Sequence, residues 1–196
     1  MRIISGSFKG KKILEPQDIK TRPLKDLTKE SIFNIIKHSN KFKVDVVKSN
    51  ILDLFSGVGS FGLECLSRNA SSVTFIENYK DALSVLKKNI ENLNYSNSSL
   101  IIEKDIFNQF RFDNLKKKFD IIFLDPPYKE KNLTSLIISI YKSKILNDNG
   151  ILIIHRHKKE KDEFSKNFNI IEKKNYGISK IIFGNFILLI FSLFQL

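Results

Sequence analysis

The sequence predicts an α/β protein with a mostly parallel sheet, helices on both faces of that sheet and an antiparallel hairpin near the carboxyl end. From residue 50 onward, β-prone segments alternate with helical ones at the spacing of repeated β-α units. A glycine-rich turn at residues 57–62 joins the first strand to its helix. An apolar run at residues 121–124 stops at a carboxylate and two prolines, as expected where a fully buried strand meets the ligand-binding edge.

Length and composition predict one domain. The 196 residues are 42% hydrophobic, enough for one well-buried core. We divide the chain into an N-terminal hairpin and helix (1–40), a core (41–183) and an apolar tail (184–196). The single cysteine, Cys65, excludes an internal disulfide and is typical of a reducing compartment. Because the first residues contain no apolar signal segment, we expect a cytoplasmic protein.

The net charge of +12 and the pI near 9.6 favour a polyanionic partner, with nucleic acid first. Residues 2–14 contain two short β-prone pieces around Gly6 and Gly10, which predict a hairpin. We interpret this hairpin as an RNA-binding flap; the alternative is a hairpin that only covers the sheet edge. The candidate RNA contacts are Arg2, Lys9, Lys11, Lys12 and, farther along, Arg22.

The remaining elements follow in order. Residues 25–38 predict a helix whose buried side carries Leu27, Ile32, Phe33, Ile35 and Ile36. Strands are predicted at 51–55, 72–76, 100–103, 121–124 and 150–154. Helices are predicted at 61–68, 79–93, 133–144 and, as a charged outer helix, 158–168. Two last strands, 169–176 and 179–183, form the hairpin through Gly177.

The carboxyl terminus is strongly apolar. The 16 residues from Ile181 are mostly apolar but are interrupted by Gly184 and Asn185, and a membrane span needs about 20. We therefore expect a last strand followed by a tail that folds onto the core, without stable membrane insertion. A peripheral membrane contact stays open as the alternative.

The glycine-rich turn fits the pattern of a dinucleotide site, so an NAD-dependent dehydrogenase is a serious rival. Asp53, inside the preceding strand, decides between the two cofactors. A fixed carboxylate repels a pyrophosphate but attracts the ammonium and sulfonium of S-adenosylmethionine. We therefore predict S-adenosylmethionine as the cofactor, held by Asp53, Phe55, Gly57 and Gly59.

Three further acids follow successive strands. Glu77 lies 20 residues after the first glycine and can accept hydrogen bonds from ribose hydroxyls in either kind of cofactor. Asp105 can accept from an adenine amino group, with Ile106 and Phe107 beside the ring. Together with Asp53 and Asp125, these acids are expected to line one crevice, although each alone has an ordinary interpretation as a helix cap or solvated loop residue.

The loop Asp125-Pro126-Pro127-Tyr128 is the candidate catalytic element. Two prolines stiffen it, and it offers a carboxylate, a prolyl carbonyl and a flat ring. These groups suit a planar amine, with the oxygens accepting its N–H bonds and the ring stacking on its face. The alternative is that Asp125 only caps the next helix.

No metal site is predicted from the sequence. The histidines His38, His155 and His157 are scattered along the chain, and Cys65 lies mid-helix. We interpret all four as ordinary structural residues.

These motifs resemble one known family over nearly the whole chain, to about Phe183. The matching pieces are Arg2 to Gly6, Lys9 to Lys12, Arg22-Pro23 with Glu30 and Phe33-Asn34, residues 52–64 with 66–68, and residues 125–128. The chain is thus similar to the bacterial RsmD-type 16S rRNA guanine-966 N2-methyltransferases. It departs from them at Leu24, where the family has threonine, at Lys29, where it has arginine, and in its apolar tail. We expect the first two differences to bear on substrate contact.

The resemblance implies a seven-stranded Rossmann-like class I methyltransferase fold. It also implies S-adenosylmethionine as donor and a guanine of 16S rRNA in the small ribosomal subunit as acceptor. Asp125 and the Pro126 carbonyl are predicted to hold the guanine amino group, with Tyr128 stacking on the base. We expect a monomer without metal. The rivals are an adenine-N6 methyltransferase on DNA or RNA, the NAD-dependent dehydrogenase and a non-catalytic RNA-binding module.

Overall fold

Seven strands form a single sheet in the computed structural model, which describes residues 1–16, 24–108 and 110–187. The strands are β1 (Asn50–Leu54), β2 (Ser72–Glu77), β3 (Ser99–Glu103), β4 (Phe119–Leu124), β5 (Leu146–His157), β6 (Phe168–Tyr176) and β7 (Ser179–Phe186). Their order is β3-β2-β1-β4-β5-β7-β6, and only the pairings of β7 with β5 and β6 are antiparallel. The predicted α/β fold is confirmed.

Four α-helices cover the sheet: α1 (Asp26–His38), α2 (Ser60–Ser67), α3 (Lys80–Asn92) and α4 (Leu133–Ser143). Alternate residues of each central strand enter two separate cores. Ile51, for example, packs on the face covered by α1, α2 and α3, whereas Leu52 packs on the face covered by α4. Burial on both faces explains why these strands are continuous apolar runs.

The strand order fixes where a ligand can bind. The chain runs outward from β1 through β2 to β3, returns to place β4 on the other side of β1 and continues to β5. The carboxyl ends of β1 and β4 therefore separate two halves that wind in opposite directions, and a crevice forms at such a switch point. The side chains that follow β1, β2 and β4 meet there.

The prediction of a charged outer helix at 158–168 is wrong. Residues 158–167 form an irregular loop, and β5 extends to His157 before it. Asp162 turns inward and pairs with two buried cations, Arg156 (2.9 Å) and Lys180 (2.8 Å). The segment also offers little apolar surface, with Phe164 packing on Phe168, so it lacks the apolar stripe that would dock a helix.

The N-terminal hairpin is smaller than predicted. One antiparallel bridge joins Arg2 to Lys12, and the Ile3 N–H donates to the Lys11 carbonyl at 2.9 Å. Its turn docks on α2, where Gly6, at a φ of +85°, approaches Ser67 so closely that a Cβ would lie 1.7 Å from the Ser67 carbonyl oxygen. Only glycine fits this contact.

Helix α1 forms as predicted, but two of its residues are placed differently. Leu27 is 79% exposed, so its assignment to the buried side is wrong. Lys29, expected to bear on substrate contact, is fully buried, where Nζ donates to the Arg2 carbonyl at 2.7 Å and lies 3.7 Å from the Glu64 carboxylate. Glu64 also accepts from the N–H groups of Ile4 and Ser5. Lys29 and Glu64 thus anchor the N-terminal segment to the core.

The predicted tail begins later than expected, because β7 continues through Gly184 and Asn185 to Phe186. The rest of the predicted tail, residues 188–196, lies outside the described residues. Among the helices that the structure describes, none is both long enough and apolar enough to cross a membrane.

Candidate active site

A cavity of about 710 Å³ opens at the carboxyl ends of β1, β2 and β4. Three of the four predicted carboxylates line it: Asp53, Glu77 and Asp125. Phe55, Gly57 and the Asp125-Pro126-Pro127-Tyr128 loop also line it, as do Met1, Glu15, Pro16 and Leu24 of the N-terminal segment. Its volume is in the range of small-molecule sites.

Asp53 is the buried carboxylate of this cavity. It is 1% exposed, and its Oδ2 accepts from the Gly62 N–H at 3.0 Å. Burial raises the pKa of Asp53 well above its ordinary value of 3.8, and the nearby charges of Asp125 and Glu77 raise it further, against the Gly62 hydrogen bond. A carboxylate in this setting gains strongly from a cationic ligand, because the cation offsets the cost of burial.

Glu77 joins the end of β2 to the glycine-rich turn. Its Oε2 accepts from the Gly57 N–H at 2.7 Å, and its Oε1 accepts from the N–H groups of Asn78 and Tyr79 at 2.9 Å. These bonds fix the carboxylate at the cavity wall. Oε2 accepts only the Gly57 bond among the hydrogen bonds of the described residues, so it keeps the capacity to accept a hydrogen bond from a hydroxyl.

The glycine-rich turn is shaped by close packing. Gly59 has a φ of +85°, and a Cβ on it would lie 2.5 Å from the Leu86 side chain. Phe55, at the end of β1, also has a positive φ of 58°, which is uncommon for an aromatic residue and typical of functional sites. Its ring lies on the cavity wall and packs against Phe107 at 5.6 Å between centroids.

Asp105 and Ile106 do not line the cavity. The Asp105 oxygens accept from the Phe107 N–H at 2.9 Å and from the Asn108 amide at 2.8 Å, and Ile106 is buried in the core beneath α4. Asp105 therefore stabilises its own turn in this structure. The assignment of both residues to the adenine end of a cofactor stays a prediction.

A buried arginine on β5 holds the candidate catalytic loop through two backbone carbonyl groups. Arg156, 2% exposed, donates to the Pro127 carbonyl at 3.0 Å and to the Glu130 carbonyl at 2.9 Å. Within residues 1–16, 24–108 and 110–187, the Pro126 carbonyl has no hydrogen-bond donor. The role of the Pro126 carbonyl as an acceptor for a substrate amino group stays a prediction.

His155 and His157 are not scattered in the fold, because both contact the candidate catalytic loop. His155, 3% exposed, places Nδ1 at 2.8 Å from Asp125 Oδ1 and Nε2 at 2.9 Å from Ser179 Oγ. The His157 ring packs edge-on against Tyr128, with 4.8 Å between centroids. The predicted order of strands could have indicated this position. Because β5 pairs with β4 and Ile154 lies opposite Leu124, the residues after Ile154 lie beside those after Leu124.

The predicted RNA contacts lie on the outer surface of the N-terminal segment. Arg2, Lys9, Lys11 and Lys12 are exposed, and Lys11 Nζ lies 5.0 Å from the centre of the Phe8 ring and donates to the Asn92 carbonyl at 2.8 Å. Arg22 lies outside the described residues. In the described part of the chain, no three His, Cys, Asp or Glu side chains are grouped as a metal site.

Comparison with known proteins identifies the family. A family model described as Conserved hypothetical protein 95 matches residues 1–185. The chain belongs to this family. Two curated relatives of this chain carry the name Ribosomal RNA small subunit methyltransferase D. The protein of Haemophilus influenzae is 31% identical over 183 residues, 91% of this chain and 90% of its own. That of Buchnera aphidicola (subsp. Acyrthosiphon pisum) is 33% identical over 172 residues, 88% and 86% of the two chains. The predicted family is confirmed.

Solved structures support the fold of this Conserved hypothetical protein 95 member. The structure of yhhF from Escherichia coli is 24% identical, with a TM-score of 0.78 over 94% of this chain and 96% of that one. The methyltransferase SMU.776, solved as a complex with SAH, is 18% identical, with a TM-score of 0.60 over 81% of this chain and 49% of that one. The predicted class I methyltransferase fold is therefore confirmed.

Proposed function

We propose that this chain transfers the methyl group of S-adenosylmethionine to the exocyclic N2 amino group of a guanine in 16S rRNA of the small ribosomal subunit. The family resemblance points to guanine 966. One observation carries the proposal: a carboxylate and a prolyl carbonyl at the end of β4 share a cavity with the buried carboxylate of Asp53. The names of the relatives support the class of RNA.

The donor half of the cavity fits S-adenosylmethionine better than NAD. A pyrophosphate needs backbone N–H groups that point at it. Here the N–H of Gly57 donates to Glu77, that of Gly59 to the Ser56 carbonyl and that of Gly62 to Asp53. The backbone N–H groups of all three glycines therefore already donate hydrogen bonds within the protein. The same turn offers carboxylates that suit an ammonium, a sulfonium and ribose hydroxyls.

S-adenosylmethionine supplies a methyl group on a positively charged sulfur, and the acceptor half supplies the geometry for its transfer. Asp125 and the Pro126 carbonyl accept the two N–H bonds of the guanine amino group. They would stabilise the positive charge that develops on nitrogen as the new N–C bond forms and the C–S bond breaks with its electron pair on sulfur. The nitrogen then loses one proton to solvent, which leaves the neutral methylated amine. Tyr128 stacks on the base. Most of the rate comes from aligning nitrogen, methyl carbon and sulfur.

The RNA reaches this loop as a base outside its stack. The N-terminal flap borders the cavity through Met1, Glu15 and Pro16. We assign to its exposed cations, and to Arg22, the phosphate contacts that bring the base there. The enzyme acts as a monomer.

A product analysis tests this function. Purified protein is incubated with methyl-labelled donor and small ribosomal subunits that lack the modification, and the RNA is digested to nucleosides. We expect the label in N2-methylguanosine, mapped to position 966. Label in N6-methyladenosine supports the adenine rival instead, and absence of label contradicts the proposal. Calorimetric titration with NAD and with S-adenosylmethionine tests the cofactor separately.

A further inference from the structure

We propose that His155 is a positioning residue that sets the orientation of Asp125 and is linked to Tyr128 through Ser179. This inference rests on the proposed methyl transfer to an amino group. Two contacts carry it: His155 lies 2.8 Å from Asp125 through Nδ1 and 2.9 Å from Ser179 through Nε2. The Ser179 hydroxyl lies 3.3 Å from the Tyr128 hydroxyl. The carboxylate and the stacking ring are therefore the two ends of one hydrogen-bonded relay.

The relay has one consistent direction when His155 is neutral. A carboxylate only accepts, so Nδ1 carries the proton and donates to Asp125. Nε2 is then an acceptor, which the Ser179 hydroxyl satisfies by donating to it. The Ser179 oxygen can in turn accept from the Tyr128 hydroxyl. Every polar atom in the relay has a matched partner, which favours a single arrangement in a buried site.

The relay contains a serine, a histidine and an aspartate in series, but it is not built for nucleophilic catalysis. In such triads the serine faces the substrate and the aspartate is the buried end. Here Asp125 lines the cavity, whereas Ser179 is 7% exposed on β7. The reversed order presents the carboxylate to the substrate, and this suits the binding of an amino group.

Positioning matters because the amino group must be aligned with the donor methyl group. With Asp125 Oδ1 held by His155, we assign Oδ2 to the substrate amino group. Without the imidazole, Asp125 Oδ1 loses this hydrogen bond, and the carboxylate is held less tightly in the orientation that the structure shows. A displacement of about 1 Å can cost about 10²-fold in rate. His155 therefore acts through Asp125 without touching the substrate.

Two substitutions of His155 by residues of similar polarity distinguish the positioning of Asp125 from a general packing role. In His155→Asn, the amide nitrogen occupies the place of Nδ1 and keeps the donor to Asp125. In His155→Gln, the longer amide reaches the place of Nε2 and keeps the Ser179 contact instead. We expect kcat of the Asn variant to fall by no more than ~3-fold and kcat of the Gln variant to fall by ~10- to 100-fold. The Kd for S-adenosylmethionine stays unchanged in both.

Equal kcat values for the Asn and Gln variants, high or low, contradict the inference, because a structural role does not distinguish the two nitrogen positions. A change in donor Kd equal to the change in kcat contradicts it as well. The test does not depend on the base. If the wild-type product is not N2-methylguanosine, the proposed function fails, and the Asn and Gln variants are compared on the amino group that is methylated.

A second inference follows from the loop at 158–167, independently of the relay. We infer that an RNA-binding surface lies on the side of Tyr128 opposite the N-terminal flap; this rests on the proposed RNA substrate. We call it the lysine rim: Lys129, Lys131, Lys158, Lys159 and Lys161, all exposed. Lys129 directly follows Tyr128, and Lys158 follows His157, whose ring touches the Tyr128 ring.

The rim stays basic because one acid of the loop turns inward and another lies beside a buried cation. The carboxylate of Asp162, with a side chain 5% exposed, binds Arg156 and Lys180. The Glu160 side chain is 41% exposed but lies 3.9 Å from Arg156, and Glu163 is an exposed acid of the same loop. The lysines face solvent beside the candidate catalytic loop, where RNA phosphates flanking a target base would lie.

Paired alanine variants test the rim. The test variant is Lys158→Ala/Lys159→Ala, and the control is Lys116→Ala/Lys118→Ala, two exposed lysines just before β4 at the opposite edge of the sheet. Binding to unmodified small subunits is measured over a range of salt concentrations. We expect the slope of log affinity against log salt to fall by about 1 to 2 in the test variant and to stay unchanged in the control.

Equal slopes in the two variants, or an unchanged slope in the test variant, contradict the rim. Wild-type binding that does not depend on salt contradicts RNA as the partner and hence the proposed function. The donor Kd is measured in parallel and stays unchanged in both variants, which shows that the site is intact.

Discussion

The two halves of the cavity are held in different ways. On the side that we propose binds the donor, backbone N–H groups fix the carboxylates: Gly62, nine residues away, donates to Asp53, and Gly57, 20 residues away, donates to Glu77. On the acceptor side, side chains fix the loop: His155, 30 residues away, binds Asp125, and Arg156, 29 residues away, binds the Pro127 carbonyl. The donor side is thus a property of local backbone geometry, whereas the acceptor side depends on how β5 and β7 pack beside β4.

This difference predicts different results for substitutions in each half. Changes on the donor side should affect donor affinity and leave the chemical step intact. Changes on the acceptor side should affect the chemical step or the order of the loop and leave donor affinity intact.

Asp125→Asn should lower the rate of methyl transfer by about 10²–10³-fold. The amide keeps the size of the side chain but removes the negative charge that, in the proposed mechanism, stabilises the developing cation on nitrogen. Single-turnover transfer to small subunits measures the rate, and calorimetry measures the donor Kd, which should stay within about threefold. A turnover near that of the wild type refutes the role of Asp125.

Arg156→Met should lower the free energy of unfolding by about 3–5 kcal/mol, because removing one partner of a buried ion pair leaves the other without full compensation. Asp162 keeps Lys180, but the Pro127 and Glu130 carbonyls lose their donors. Chemical denaturation checks the value. Lys174→Met, which removes an exposed partner of Glu172 (3.2 Å), is the control and should change stability by less than about 1 kcal/mol.

Asp53→Asn should weaken binding of S-adenosylmethionine by ~10- to 100-fold, the value of a hydrogen bond to a charged group. The amide oxygen can still accept from the Gly62 N–H, so the turn keeps its shape. Binding of S-adenosylhomocysteine, which lacks the sulfonium charge, should weaken less. Equal losses for the two ligands show that the sulfonium charge is not recognised by Asp53.

The same substitution should stabilise the protein at neutral pH. The pKa of Asp53 is raised in the folded state, so the folded protein binds this proton more tightly than the unfolded chain does. Stability is therefore lost as pH rises above 3.8 toward the raised pKa. The Tm difference between Asp53→Asn and wild type should grow from pH 4 to pH 7. A difference that does not change with pH contradicts this account.

The sequence predicted most of the fold because its signals are local. The alternation of apolar strands with helices predicted the sheet. The positions of Asp53, Glu77 and Asp125 at or near the carboxyl ends of predicted strands indicated that they lie close together. The predictions that Leu27 is buried and that residues 158–168 form a helix were wrong, because both depend on contacts between residues far apart in the sequence. Lys29 enters the core to bind Glu64, and Asp162 turns inward to bind Arg156 and Lys180. His155 was missed because its partner becomes a neighbour only through the pairing of β4 with β5.

We propose that donor binding and methyl transfer are carried by different halves of one cavity. Single-turnover transfer at saturating S-adenosylmethionine, compared between Asp53→Asn and Asp125→Asn, tests this most directly. We predict that the Asp53 variant recovers a rate within about threefold of wild type, while the Asp125 variant stays about 10²–10³-fold slower. Equal rates for the two variants at saturating donor would contradict the account.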